Sequence, residues 1–119
     1  RDDAGLADAI QAATRGASDV PLAVAQAALE AMKLAGQAAT VGNKNAITDA
    51  MAGVQMALAA MEVAALNVRI NVAGLADRQA AADYERQIAA ILDEGRTLSR
   101  QLLAGAAERA GLSQNPLLP

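Results

Sequence analysis

The sequence feature that most restricts the fold is an almost wholly apolar stretch, residues 50–66, in which only Gln55 and Glu62 are polar. Its length approaches the ~20 residues that a membrane-spanning helix requires. However, Glu62 lies near the middle, where a carboxylate is costly in lipid, and no Trp or Tyr anchors flank the stretch. We therefore predict the central helix of a bundle or an oligomer interface, because either one buries a helix on nearly all sides.

The sequence on both sides of this stretch has the apolar spacing of amphipathic helices. Residues 20–40 and residues 77–110 each carry a stripe of apolar or small residues at intervals of three and four. The two stripes are Leu22, Ala25, Leu29, Met32, Gly36 and Ala39, and then Tyr84, Ile88, Ile91, Gly95, Leu98 and Leu102. A weaker helix is predicted over residues 4–17, because Gly5 and Gly16 lower its helix propensity.

Capping signals predict a break between the first two of four helices. Asp19 and Pro21 are typical of a helix start, since Asp caps free N–H groups and proline tolerates the first helical position. Gly42 is suited to ending the second helix in a left-handed conformation. The first helix is therefore expected to end before Asp19.

The third and fourth helices are predicted over residues 45–72 and 77–110. Asn45 can cap the third by accepting a hydrogen bond from the N–H of Thr48, and Asp77 can cap the fourth. Gly111 stops the fourth helix, which leaves the residues after it as a tail. The predicted fold is all-α, an antiparallel bundle of long helices that oligomerises.

Composition narrows the classes of function. The chain has neither Cys nor His, so it lacks thiolate chemistry, Cys-based metal sites and the commonest general base. Its Lys and Arg residues are scattered and the net charge is −3, which argues against a nucleic-acid partner. We expect no metal, no nucleic acid and no membrane association.

Two polar clusters interrupt the apolar helix. Asn43, Lys44, Asn45 and Asp49 lie at its start, and Asn67, Arg69 and Asn71 lie at its end. The first cluster is either a capped helix start or a place where free N–H groups and Lys44 hold an anionic or amide-bearing ligand. Asn67 and Asn71 share one face, whereas Arg69 points elsewhere. This pair either bonds to a neighbouring loop or binds a ligand.

The two clusters are too far apart for one small site. Asp49 and Asn67 are separated by five helical turns and so by ~27 Å, although they project in the same direction. They either serve one elongated ligand or meet across an antiparallel two-fold dimer. Glu62 is a further candidate, either paired with Lys or Arg or acting as an acid or base with a raised pKa.

Three runs carry a family resemblance. Residues 20–22 read Val-Pro-Leu, residues 42–50 read Gly-Asn-Lys-Asn-Ala-Ile-Thr-Asp-Ala, and residues 65–71 read Ala-Leu-Asn-Val-Arg-Ile-Asn. In order and separation they resemble the formimino-tetrahydrofolate cyclodeaminase and methenyl-tetrahydrofolate cyclohydrolase family. Its members usually have Val-Pro-Leu, Gly-Asn-x-Asn-x-x-Ser-Asp and Asn-Val-x-Ile-Asn, so Thr48 replaces a serine. The resemblance extends over residues 9–102.

The resemblance implies a cytoplasmic, all-helical enzyme that forms a dimer or larger ring. Its substrate is a reduced folate, and no metal or redox cofactor is needed. Such enzymes either expel ammonia from 5-formimino-tetrahydrofolate or hydrolyse 5,10-methenyl-tetrahydrofolate. The substrate-binding residues it implies are Asn43, Lys44, Asn45, Asp49, Asn67, Arg69 and Asn71, with Lys44 or Arg69 meeting the glutamate tail. No catalytic residue is assigned.

One departure from the family pattern concerns its upstream half. The Pro-Gly-Gly-Gly-Ser segment is not found here, nor is the acidic stretch that holds an Asp implicated in cyclodeamination. Asp2 and Asp3 lie too close to Val20 to take that role. We expect residues 1–119 to be the C-terminal part of one helical domain and inactive alone. The alternative is a non-enzymatic helical oligomerisation module.

Overall fold

A computed structural model describes residues 3–112, which form three α-helices and no strand within that range. Helix α1 is Asp3–Ala38, α2 is Lys44–Val72 and α3 is Arg78–Arg109. Short turns join them, so consecutive helices run antiparallel in an elongated bundle of 68 × 20 × 17 Å. The predicted all-α bundle is confirmed. Residues 113–119 of the predicted tail lie outside the described residues.

The predicted break before Pro21 is wrong, since α1 continues through it and the bundle has three helices, not four. Asp19 does not cap a helix, because its carboxylate accepts a hydrogen bond from the Tyr84 hydroxyl. A proline inside a helix leaves the carbonyl four residues earlier without its N–H partner. That carbonyl, on Ala17, instead accepts a hydrogen bond from Asn71 Nδ2 at 2.8 Å. A side-chain donor from α2 therefore replaces the backbone hydrogen bond that Pro21 cannot make, and α1 continues past it.

The caps of the other helices differ partly from expectation. Asn43, and not Asn45, caps α2, because its side-chain oxygen accepts from the Ala46 N–H at 3.0 Å. Asn45 lies two residues after the cap position and is already helical. Asp77 caps α3 as predicted, accepting from the Ala80 N–H at 3.0 Å.

The two glycines predicted to end helices behave differently. Gly111 follows the end of α3 with φ of 74°, the one positive φ among residues 3–112. The predicted left-handed cap at Gly42 is therefore wrong. Helix α1 ends at Ala38, well before Gly42, and turn hydrogen bonds from Thr40 and Val41 back to the last helical carbonyls complete it.

The core forms where the apolar stripes of the helices meet. Leu29 and Met32 of α1 and Ile88 of α3 are no more than 1% exposed, so both predicted stripes are confirmed. Helix α2 contributes Met61, whose sulfur lies so close to Gly95 that a Cβ added there would be 2.5 Å from it. A larger residue at position 95 would therefore force the Met61 thioether to shift within the close-packed core.

Helix α2 is the apolar helix that the sequence indicated, and it packs against both of the others. By length and composition it could cross a membrane, but 39% of its most apolar window is buried in the bundle. Glu62 lies beside α3, with its Oε2 3.7 Å from Nη2 of Arg96. Both side chains are about half exposed, so Glu62 forms a surface ion pair.

Asp77 makes the stability of the bundle depend on pH. The Ala80 N–H and then the Arg15 guanidinium hold the pKa of the Asp77 carboxyl below its usual value of 3.8. The charged form is favoured in the folded state, so its stabilisation is complete above that value and is lost as the pH falls through the lower folded pKa.

We expect Asp77→Asn to remove this pH dependence, because Asn still caps the helix but carries no charge. The melting temperature of the wild type should exceed that of the variant at neutral pH, and the gap should shrink in acid. Thermal melts from pH 7 to pH 2 measure it. Asp93→Asn is the control, since Asp93 makes no hydrogen bond or ion pair within residues 3–112. A difference in melting temperature between wild type and Asp77→Asn that stays constant with pH contradicts the prediction.

Candidate functional site

An open apolar groove of about 700 Å³ lies between α1 and α2. Eight of its ten lining residues are aliphatic and the other two are asparagines. They are Ala17, Val20, Pro21, Val24, Ala59, Ala60, Val63, Ala64, Asn67 and Asn71. A concave apolar surface with a few polar groups is the usual form of a small-molecule site, and the volume falls within the ordinary range of ~300–1,000 Å³.

The sequence builds this groove from exposed valines on either side of small residues. Val20, Val24 and Val63 are 66%, 48% and 57% exposed, although each is a large aliphatic residue. Ala59 and Ala60 lie beside Val63 on α2 and leave space where longer side chains would fill the groove. The groove is thus a set of aliphatic side chains without a partner within residues 3–112.

The two asparagines in the groove have different surroundings. Asn67 is exposed and its side chain makes no hydrogen bond with any described residue. Asn71, one turn later, is half-buried and donates to the Ala17 carbonyl. The sequence prediction that they share a face is confirmed, since both line the groove. Asn67 therefore keeps a free donor and acceptor for a ligand, whereas Asn71 supports the wall.

The first polar cluster lies at the opposite end of α2. Asn43 is occupied as a cap, and Lys44 extends over Gly111 beyond the end of α3. Asn45 and Asp49 are exposed. Asp49 remains ~27 Å from Asn67 along a continuous helix. Within one chain the structure does not bring the two clusters together.

Arg69 faces α3 and not the groove. Its guanidinium donates to Glu85 from two nitrogens, with Nε 3.0 Å and Nη2 2.8 Å from Oε1. The Glu85 carboxylate raises the pKa of Arg69 above its usual value. Arg69 thus joins α2 to α3 and, as predicted, points away from the face that Asn67 and Asn71 share.

A partly exposed polar network at the Asn71 end of the groove was not anticipated from the sequence. The Tyr84 hydroxyl donates to Asp19, and this hydrogen bond is the main reason that the pKa of Tyr84 is raised. Arg15, on the same side of α1, pairs with Asp77 at 2.8 Å. These contacts join residues more than sixty positions apart, so no local sequence pattern could have indicated them. The network fixes the α2–α3 turn against α1.

A helical bundle with an open apolar groove and one free amide has the form that small-molecule sites usually take. Residues 2–105 match the family model described as formiminotransferase-cyclodeaminase. The chain belongs to this family, as the three sequence runs indicated.

The chain is also similar to a methenyltetrahydrofolate cyclohydrolase from Methylorubrum extorquens. The two are 38% identical over 99 residues, which are 83% of this chain and 48% of the relative. The chain therefore spans about half the length of that curated relative.

Proposed function

We propose that this chain provides the folate-binding groove of an enzyme that hydrolyses 5,10-methenyl-tetrahydrofolate to the 10-formyl compound. The family and the name of the relative support folate chemistry. The observation that carries the proposal is the free Asn67 amide in a groove whose other lining residues, apart from the bonded Asn71, are aliphatic. A flat heterocycle with ring N–H and C=O groups fits such a surface, because its faces contact aliphatic side chains and its edge bonds the amide.

We further propose that the groove binds and orients the substrate without transferring protons. None of its ten lining residues is titratable, whereas adding water to the methenyl carbon requires a group that accepts a proton. The acid or base must therefore come from a residue outside the groove lining. This supports the expectation that residues 1–119 are inactive alone.

Hydrolysis is proposed ahead of ammonia release because the relative is named a cyclohydrolase. The two reactions are distinguished by their substrates. The protein that carries this chain should consume methenyl-tetrahydrofolate, with loss of its characteristic absorbance, and should release no ammonia from 5-formimino-tetrahydrofolate. Ammonia release at a comparable rate would assign the cyclodeaminase reaction instead.

The contribution of Asn67 can be tested with Asn67→Ala. We expect roughly tenfold weaker binding of methenyl-tetrahydrofolate, the effect of losing one hydrogen bond to an uncharged partner. Isothermal calorimetry on the protein that carries this chain measures it. Gln37→Ala is the matched control, because Gln37 is an exposed amide on α1 that does not line the groove. Equal affinity of Asn67→Ala and wild type would exclude Asn67 from the site.

We also propose that the protein is a homodimer whose copies pair through the outer face of α2. Met56 and Ile70 extend the apolar face beyond the groove and are 73% and 75% exposed. An antiparallel pairing sets Asp49 of one copy near Asn67 of the other, where the amide can donate to the carboxylate. A parallel pairing would oppose two copies of Asp49, which repel each other.

The dimer brings both polar clusters to one site, and mixing experiments test this. Asp49→Ala and Asn67→Ala subunits should each be impaired, and a mixture should recover activity through heterodimers that keep one intact site. No recovery counts against a shared site.

The same exposed aliphatic residues favour the second candidate, a non-enzymatic oligomerisation module. Sedimentation that shows a stable oligomer, together with no folate binding by the protein that carries this chain, would favour this module.

A further inference from the structure

We propose that Asn71 is a positioning residue, which replaces the N–H group that Pro21 lacks and so sets the shape of α1 where it forms the groove wall. The proposal concerns residues that support the site and goes beyond the proposed reaction. It also explains physically why the Val-Pro-Leu run and the asparagine at the end of α2 occur in one chain.

The Ala17 carbonyl is the group that Pro21 leaves without a backbone donor. Pro21 lies inside a helix of 36 residues, where a proline removes one backbone hydrogen bond and its ring presses on the carbonyl four residues earlier. That carbonyl belongs to Ala17, and it is the group that accepts the hydrogen bond from Asn71 Nδ2 at 2.8 Å. Ala17, Pro21 and Asn71 all line the groove. The replacement hydrogen bond is therefore part of the groove wall.

The turn of α1 before Pro21 is held by further side-chain donors. Ser18 is fully buried, and its hydroxyl donates to the Thr14 carbonyl at 2.9 Å. The Tyr84 hydroxyl lies 3.3 Å from the Arg15 carbonyl. Side chains from the other two helices also contact this turn, with Asn71 of α2 at the Ala17 carbonyl and Tyr84 of α3 at Asp19 and beside the Arg15 carbonyl. They support a helix whose own hydrogen bonding is interrupted.

The hydrogen bond between Asn71 and Ala17 affects the distance between the α1 and α2 walls of the groove. Val20 and Val24 follow the interrupted turn, so the direction of α1 after Ala17 sets their separation from Val63 on α2. Replacing Pro21 by alanine restores an N–H for the Ala17 carbonyl and removes the ring, which lets the direction of the helix after Ala17 change. The Asn71 amide then loses its backbone partner.

A double-mutant cycle on unfolding tests the hydrogen bond. Asn71→Ala should lower the folding equilibrium constant by roughly threefold to tenfold in the wild-type background, because one partly exposed carbonyl loses its donor. In the Pro21→Ala background the same change should have no effect, since the backbone N–H supplies the bond. Asn67→Ala, which removes an unbonded amide of the same helix, should show no such coupling. Additive effects of Asn71→Ala and Pro21→Ala would overturn the proposal.

A distance measurement separates positioning from simple stabilisation. The chain contains no cysteine, so spin labels on Val24→Cys and Val63→Cys report the separation of the walls. Pro21→Ala and Asn71→Ala should each shift the interlabel distance, and Pro21→Ala should bind methenyl-tetrahydrofolate several-fold more weakly even if it folds as stably. An unchanged distance in both variants would overturn the positioning role.

The affinity readout rests on the proposed function, whereas the unfolding cycle and the label distances do not. Coupling and a distance shift in a protein that binds no folate would support the Asn71–Pro21 interaction and contradict only the proposed function.

Discussion

Replacing Ala60 by tryptophan is expected to abolish folate binding without unfolding the bundle. Ala60 is exposed and lines the groove, so an indole there fills the space of the ligand and displaces no core residue. We expect a loss of affinity for methenyl-tetrahydrofolate of more than about hundredfold, or about 2.7 kcal/mol. Calorimetry on the protein that carries this chain measures the affinity, and thermal melts measure the folding.

The matched control is Ala90→Trp, which adds the same side chain at an exposed position of α3 outside the groove. It should leave both affinity and melting temperature close to those of the wild type. Wild-type affinity in Ala60→Trp would show that the ligand binds elsewhere. A large fall in the melting temperature of Ala60→Trp would show that this position is not free in the folded protein.

The second large effect is expected from Met61→Ala. Met61 is fully buried and its sulfur contacts the α3 backbone at Gly95. Truncation leaves a cavity between α2 and α3, and such substitutions cost about 2–5 kcal/mol of unfolding free energy. Met56→Ala provides the contrast on the same helix, because Met56 is 73% exposed and exposed substitutions usually change stability by less than about 0.5 kcal/mol.

Urea unfolding in dilute solution measures both variants, so that self-association does not contribute. Equal destabilisation by Met61→Ala and Met56→Ala would contradict the packing of α2. If Met56 lies in the proposed dimer interface, Met56→Ala should weaken self-association and leave the unfolding of the monomer unchanged.

Much of the fold could be predicted because it follows from local spacing. The stripes containing Leu29 and Ile88 are buried as expected, and Asp77 caps the helix that it precedes. Glu62 also has the ordinary role that an isolated carboxylate has on an apolar helix, since it pairs with Arg96. Periodicity and capping depend on neighbouring residues, so the sequence alone contains this information.

The break at Pro21 could not be predicted correctly for the opposite reason. An Asp followed two residues later by a Pro can stand at a helix start or inside a helix, and the local sequence is the same in both cases. The interior position is permitted here by Asn71 and Tyr84, which lie 50 or more positions away and supply the missing donor and a partner for Asp19. The α2 cap was assigned to Asn45 and not to Asn43 for a similar reason, since either asparagine can cap a helix.

The candidate site was predictable only in part. The spacing of Asn67 and Asn71 gave their common face, and both line the groove. Their different roles depend on the Ala17 carbonyl of another helix, which no spacing rule indicates. The valines of the groove carry no chemical signal either, because an exposed valine and a buried one have the same sequence pattern. The polar cluster at the start of α2 can join this site only through a second copy of the chain in the proposed dimer.

The groove beside Asn67 is proposed to bind a reduced folate. The most direct test is calorimetric titration of methenyl-tetrahydrofolate into the protein that carries this chain, as wild type and as Ala60→Trp. We expect saturable binding by the wild type and none by the variant under the same conditions. Absence of binding by the folded wild type, or equal binding by both proteins, would contradict the proposal.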